Sequence, residues 1–201
     1  MQDSWCTQGH KRIPFGNSLR PFVMVILFVV ASSSVQAAPP APDDLVKIRL
    51  AMTIGQHYVR YAKSDPPPEP IKLCVVGPDR FSTFFRQKAI HSHASFRYFT
   101  RQIDEDMSDC HVVFLTLSNR HNIEQVLKAL YGKPILTVSD HREFLQAGGM
   151  LAFSEEGGRV VFKLNPLVAQ SCGLQFRAEV MRLAKQVIQI PPQQFFPEGA
   201  K

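Results

Sequence analysis

IKLCVVGPDRF, residues 71–81, decides how this chain is read. Its first six residues are apolar apart from Lys72, and Gly77-Pro78 ends the run. A short apolar run closed by such a turn is the pattern of a strand buried on both faces, the kind found in parallel sheets. Cys74 stands in the middle of it. A cysteine there is either a small core filler or one half of a disulfide, and the choice turns on the compartment and on the other cysteines.

On the N-terminal side, Asp65-Pro-Pro-Pro-Glu-Pro70 is a rigid connector that no helix can cross. Ahead of it Leu45, Ile48, Met52, Tyr58, Tyr61 and Ala62 recur at helical spacing. A helix is therefore expected over 44–63, with Asp43 or Asp44 as its N-cap. On the C-terminal side strands and helices alternate. The patterns predict a helix over 79–87, a more exposed strand over 96–100 and an apolar strand over 112–117. A helix follows over 119–131, carried by Ile123, Val126, Leu127 and Leu130, then a strand over 135–138 and a short helix over 141–146. After Gly148-Gly149 the pattern changes. Residues 150–154 and 159–164 flank Glu155-Glu-Gly-Gly158, a strong hairpin signal. Helices are expected over 166–171 and 177–188, the second with Val180, Leu183, Ala184 and Val187 on one face. Strands alternating with helices imply right-handed crossovers and a mostly parallel sheet. The expected fold is a three-layer α/β single domain over 45–190, a mostly parallel mixed sheet with a C-terminal β-hairpin.

The chain has 201 residues, enough for one domain with a proper core. Its first 37 residues read differently from the rest. Lys11, Arg12 and Arg20 precede the uncharged run Pro21–Ala31, and Val35-Gln36-Ala37 ends the segment with small residues at the −3 and −1 positions. That is the layout of a secretory signal peptide cleaved after Ala37. A membrane anchor is the alternative, but the run of about 11 residues falls well short of the ~20 needed to span a bilayer. The expected organisation is a signal peptide over 1–37, a proline-rich leader over 38–44, the domain, and a flexible tail over 191–201. Removing 1–37 takes away three bases and one acid, so a net charge of +6 becomes about +4. The bases are scattered, which reads as a solvated surface and gives no footprint for nucleic acid.

Export gives the cysteines a compartment. Cys6 leaves with the signal peptide, and Cys74, Cys110 and Cys172 remain. Cys110 lies in Ser108-Asp-Cys-His-Val-Val-Phe-Leu115, just ahead of the 112–117 strand. In a doubly wound sheet this strand and the 71–76 strand are commonly neighbours, and cysteines on neighbouring strands can meet the geometry of a disulfide. A Cys74–Cys110 bridge is therefore expected in an oxidising compartment, two unlinked buried thiols being the alternative. Cys172, in Ser171-Cys-Gly173, reads as a buried small residue or as an intermolecular thiol that would join two copies in a homodimer.

These motifs, taken in order, resemble the YfiR family of periplasmic proteins. The Leu73-Cys-Val-Val-Gly77 strand and Asp109-Cys-His-Val-Val-Phe-Leu115 carry the likeness. So do Lys133-Pro-Ile-Leu-Thr-Val-Ser-Asp140, Phe144, Gly148-Gly149-Met150, Phe153 and Arg159-Val-Val-Phe-Lys-Leu-Asn165. The resemblance covers residues 45–188. It implies a periplasmic repressor that binds the periplasmic domain of an inner-membrane diguanylate cyclase and keeps cyclic di-GMP low. It also implies an outer-membrane lipoprotein that sequesters the repressor. By motif, Cys74 and Cys110 match one disulfide of the family. The family's second disulfide has no counterpart, because no cysteine lies between Asp140 and Cys172. The first helix departs as well, reading His57-Tyr-Val-Arg-Tyr-Ala-Lys63. With a single bridge, a structural staple is the expected role, ahead of a redox switch.

Residue chemistry gives an enzyme little support. His91-Ser-His93 lacks a Cys, Asp or Glu at ligand spacing and reads as a solvated loop, so no metal is expected. Ser139-Asp-His141 has the residue types of a catalytic triad, but consecutive residues do not converge in the geometry a triad needs. The glycine pairs lack a phosphate-loop pattern, and no cofactor is implied. Binding is the better reading. Phe81, Phe84, Phe85, Phe96, Tyr98 and Phe99 concentrate aromatic side chains between the first and third strands. Phe84 and Phe85 are adjacent on a predicted helix and cannot both face one core, while Arg97 and Arg101 offer charge beside them. Phe84, Phe85, Arg97 and Arg101 are the candidate partner-binding residues. A small-ligand-binding module, with a cleft near Gly77-Pro78 and Ser118-Asn119, is the alternative.

Overall fold

The structure, a computed structural model, describes residues 42–62, 69–82, 85 and 96–196. Along the chain it places α1 (Pro42–Thr53), β1 (Val59–Tyr61), β2 (Ile71–Val76), β3 (Phe96–Arg101) and β4 (Val112–Leu115). Then come α2 (Arg120–Leu130), β5 (Leu136–Ser139), β6 (Leu151–Glu156) and β7 (Arg159–Leu164). The last elements are α3 (Pro166–Ser171), β8 (Leu174–Phe176), α4 (Ala178–Leu183) and β9 (Gln186–Val187).

β2 takes β3 on one side and β4 on the other, parallel to both. The sheet then continues through β5 and β6, still parallel, before β7 returns antiparallel on β6 and β9 closes the far edge. Among the described residues this is a seven-stranded mixed sheet in the order β3-β2-β4-β5-β6-β7-β9. The expected α/β class and the late hairpin are present. Gly157 and Gly158 turn the hairpin with φ of 55° and 70°. Two successive positive φ values are what a tight primed turn requires, and glycine adopts them without steric cost.

The alternation of strand side chains divides the core into two layers. Ile71, Leu73 and Val75 of β2 join Val112, Phe114, Leu136 and Val138 on one face, under Ile48 and Ala51 of α1 and Val168 and Ala169 of α3. Cys74, Val76, Val113 and Leu115 point to the other face and meet Ile123, Val126, Leu127 and Leu130 of α2, with Phe144 and Leu145. α2 begins where Asn119 accepts hydrogen bonds from the backbone of His121 and Asn122, as an N-cap should. The two buried hydroxyls of β5 are both used. Ser139 donates to the Leu115 carbonyl, and Thr137 accepts from the Met150 amide.

Three expected helices are corrected, and the short one over 141–146 is a turn that leads into a 3-10 turn at Leu145–Ala147. The one predicted over 44–63 leaves the α-helical path at Ile54, passes through a π turn to Tyr58 and becomes β1. Val59, Arg60 and Tyr61 pair antiparallel with Phe176, Gln175 and Leu174 of β8, so Val59 and Tyr61 are buried by strand alternation with Arg60 exposed between them. The helix predicted over 177–188 stops at Leu183, which is 69% exposed and not on a buried face. Beyond it the unpaired edge of β7 captures the chain: Lys185 donates to Phe162 and Ile188 to Leu164. A sheet edge satisfies backbone groups that two more helical turns would have left to themselves. In the expected tail, Pro192–Gln194 form a 3-10 turn and Phe196 stacks on Tyr131 at 4.2 Å. Of the helix predicted over 79–87, only 79–82 and Phe85 are described, with the Phe85 amide bonded to the Phe81 carbonyl.

Gly149 lies against the ring of the fully buried Phe144, inside the volume a Cβ would need. Gly149→Ala should cost about 1–3 kcal/mol by overpacking. Thermal melts followed by circular dichroism will show the loss, and adding Phe144→Leu should recover part of it. A melt unchanged by Gly149→Ala would contradict the packing.

Candidate functional site

Cys74 and Cys110 are joined by a disulfide, with Cα atoms 6.0 Å apart and both residues buried. It ties the middle of β2 to the approach of β4. The next residue adds a second tie. His111 Nδ1 accepts from the Lys72 amide at 2.9 Å, while its own amide donates to the Lys72 carbonyl at 2.9 Å. The imidazole must be neutral at Nδ1 to accept that bond. Burial lowers its pKa, the nearby Lys72 ammonium lowers it further, and Asp109 opposes them weakly. Asp109 lies close to both cysteine sulfurs, but sulfurs bonded to each other are not metal ligands.

A charged cluster lies where the parallel strands end. Lys47 of α1 is only 6% exposed, and its ammonium meets Glu155 at 2.8 Å, Asp140 at 3.4 Å and Asp44 at 3.9 Å. Arg80, beyond β2, bonds Asp140 at 3.2 Å and Asp44 at 3.5 Å. Burial acts to lower the Lys47 pKa, but the hydrogen bond to Glu155 and the field of Asp140 outweigh it and the net shift is upward. The cluster fastens α1 to the ends of β2, β5 and β6. Sequence reading missed it; the only local trace is Asp44-x-x-Lys47 on the first helix, with three of its members remote in the chain.

Three of the candidate partner residues, Phe85, Arg97 and Arg101, gather at β3, the end strand of the sheet among the described residues. Phe85 stacks on Tyr98 with ring centroids 4.3 Å apart, and the Tyr98 hydroxyl donates to Asp79. The same Asp79 oxygen, Oδ1, also accepts from the amides of Phe81 and Ser82 at 3.0 Å. Burial and the carboxylate together push the Tyr98 phenol well above its usual range. On the opposite face of β3, Arg97 is exposed and has no partner among the described residues. Arg101 lies over the Phe99 ring at 5.1 Å and meets Asp109 at 3.7 Å. A groove of about 670 Å³ runs here, lined by Asp79, Ser82, Phe85 and every residue from Phe96 to Arg101. Phe84 and the His91-Ser-His93 fragment lie outside the described residues.

Other expected residues disperse. Ser139, Asp140 and His141 point to different partners: Ser139 to Leu115, Asp140 to Lys47 and Arg80, and His141 Nδ1 to the Glu143 amide. At the expected cleft near Gly77-Pro78, the Thr116 hydroxyl lies within hydrogen-bond distance of the Val76 and Pro78 carbonyls. On its other side Asn119 is spent as the α2 cap. Cys172 is 3% exposed, accepts from the Gly132 amide and lines a small cavity with Phe196; burial pushes its thiol up, away from reactivity. No helix of the described residues is long and apolar enough to cross a membrane.

The fold is that of an α/β protein with a mixed sheet, in which a disulfide ties β2 to the approach of β4. A family model described as YfiR/HmsC-like matches residues 46–185. The chain belongs to the YfiR/HmsC-like family.

Two measurements check this chemistry. Without reductant, thiol titration of the denatured protein should count Cys172 and neither Cys74 nor Cys110. Replacing the bridged pair by serine should lower stability by roughly 4 kcal/mol in denaturant titration, from a loop of 36 residues. Labelling of Cys74 and Cys110 would contradict the bridge. The His111 pKa is depressed in the folded state, so below pH ~6.5 the unfolded chain binds the extra proton first. Stability should fall as the pH drops through that point towards the folded pKa. His111→Asn, read by denaturant midpoints across pH 5–7, should flatten that part of the profile, and an unflattened profile assigns the dependence elsewhere.

Proposed function

We propose that this protein is a periplasmic regulator, exported by the segment 1–37, that binds the periplasmic domain of an inner-membrane diguanylate cyclase and holds it inactive. The single observation that carries this reading is the YfiR/HmsC-like match over 46–185, nearly all of the expected domain. The bridge between Cys74 and Cys110 accords with an oxidising compartment. The protein acts by binding, without chemistry of its own. A partner bound more tightly in its inactive state is shifted towards that state, and the shift equals the difference in affinity between the two states. Phe84, Phe85, Arg97 and Arg101 form the contact surface. An outer-membrane lipoprotein that takes up the regulator would remove the bias and release the cyclase.

Deleting the gene in a strain that expresses the candidate cyclase should raise cyclic di-GMP, measured by mass spectrometry, and a plasmid copy should restore the low level. An unchanged nucleotide level in that strain would sink the repressor reading.

A further inference from the structure

β3 ends the sheet: β2 pairs with its inner edge, and among the described residues no strand pairs with its outer edge. A strand in that position presents a row of unpaired amides and carbonyls, which proteins either protect or use. Here the groove of about 670 Å³ is lined by consecutive residues from Phe96 to Arg101. Successive strand residues point to opposite faces, so a hollow that touches all six follows the edge of the strand and is not confined to one face.

The two faces flanking that edge differ. On one are Phe96 and Tyr98, with Phe85 stacked on Tyr98 and Asp79 Oδ1 taken up by the Tyr98 hydroxyl and two amides. On the other, register places Arg97 beside Lys72, Phe99 beside Cys74 and Arg101 beside Val76. That face carries the bases Lys72, Arg97 and Arg101 against one acid, Asp109, which serves Lys72 and Arg101. It has an excess of positive charge, and Arg97 has no partner of its own among the described residues. Arg97 and Arg101 are four residues apart, about 13 Å along a strand, with the Phe99 ring between them.

We propose that the outer edge of β3 takes an extended acidic segment of a partner protein, added as a further strand, in which two carboxylates four residues apart flank an apolar side chain. Backbone hydrogen bonds to the open edge supply pairing, and the carboxylates over Arg97 and Arg101 fix register and choose the partner. The acidic turn Asp104-Glu105-Asp106 follows β3 directly, so the segment carries no further acid beyond Arg101. This assignment rests on the reading of the protein as a regulator that works by binding, and it names the chemistry of the binding partner.

The test uses the purified protein and a short synthetic Thr/Val-rich peptide with two glutamates four residues apart around a central leucine, labelled for fluorescence anisotropy. The peptide should bind, and binding should weaken as salt rises. Arg97→Glu with Arg101→Glu should weaken it by about tenfold or more. Peptides with lysine in place of the glutamates, or with N-methyl groups along one backbone edge, should not bind. The methylated peptide tests strand pairing without altering the protein, so it decides even if the double variant folds poorly. Equal binding of the methylated peptide, or of the double variant with an unchanged melt, overturns the proposal. A dimer seen by sedimentation and abolished by Arg97→Glu, with no peptide bound, also overturns it and gives the edge to a second copy of the chain. In cells, the double variant should raise cyclic di-GMP as gene deletion does. If deletion raises it and the folded double variant does not, the edge assignment falls while the regulatory reading stands.

Discussion

The enclosure of β2 is the constraint around which the molecule is arranged. The strand has a neighbour on each edge and a hydrophobic layer on each face, so its backbone groups, and its side chains other than Lys72, cannot turn to water for compensation. Its hydrogen bonds, its packing and its register must all be met by remote segments at once. Register is the most exacting, because a slip of one residue would exchange the two faces. Three independent ties hold β2 to β4: the ladder itself, the disulfide at Cys74 and the paired bonds between Lys72 and His111. Redundancy at this point fixes where β3 lies, and with it the spacing of the charges along the open edge.

Such rigidity has a bearing on how a binding surface works. A face held in place by a crosslinked central strand loses little conformational freedom when a partner arrives, so less of the interaction energy is spent on ordering. In the proposed regulatory role such a face would serve as a fixed template, with the two-state element in the partner. Cys172 is buried away from that face with its thiol pKa raised by burial.

What the sequence displayed and what it concealed follow a physical division. β2, β4 and β5 were legible because strands buried on both faces have no choice but to be apolar throughout, and Gly77-Pro78 and Gly132-Lys-Pro134 mark their limits. The hairpin was legible from two adjacent glycines and α2 from its apolar stripe behind Asn119. The failures lie where a distant edge outvotes the local pattern. Tyr58 and Tyr61 are spaced as in a helix, while Val59 and Tyr61 are spaced as in a strand, and β8, more than a hundred residues later, decides between them. Val180, Leu183 and Val187 fit a helical face equally well until β7 claims the chain after Leu183. The candidate site was readable as residue types near 84–101, yet its arrangement along a strand edge was not, since edge position is a property of sheet order. The Lys47 cluster was concealed for the same reason: Asp140 and Glu155 come from elements far along the chain.

That long reach of the first helix has a kinetic side. The ammonium of Lys47 bonds a carboxylate 108 residues further on, and Val59 pairs with Phe176. α1 packs partly on β2 and β4, but its remaining contacts, and the pairing of β1 with β8, wait for the last third of the chain. Contacts of such separation close slowly, because the entropy of a large loop must be overcome before any of them forms. Full docking of the N-terminal elements should therefore come late in folding.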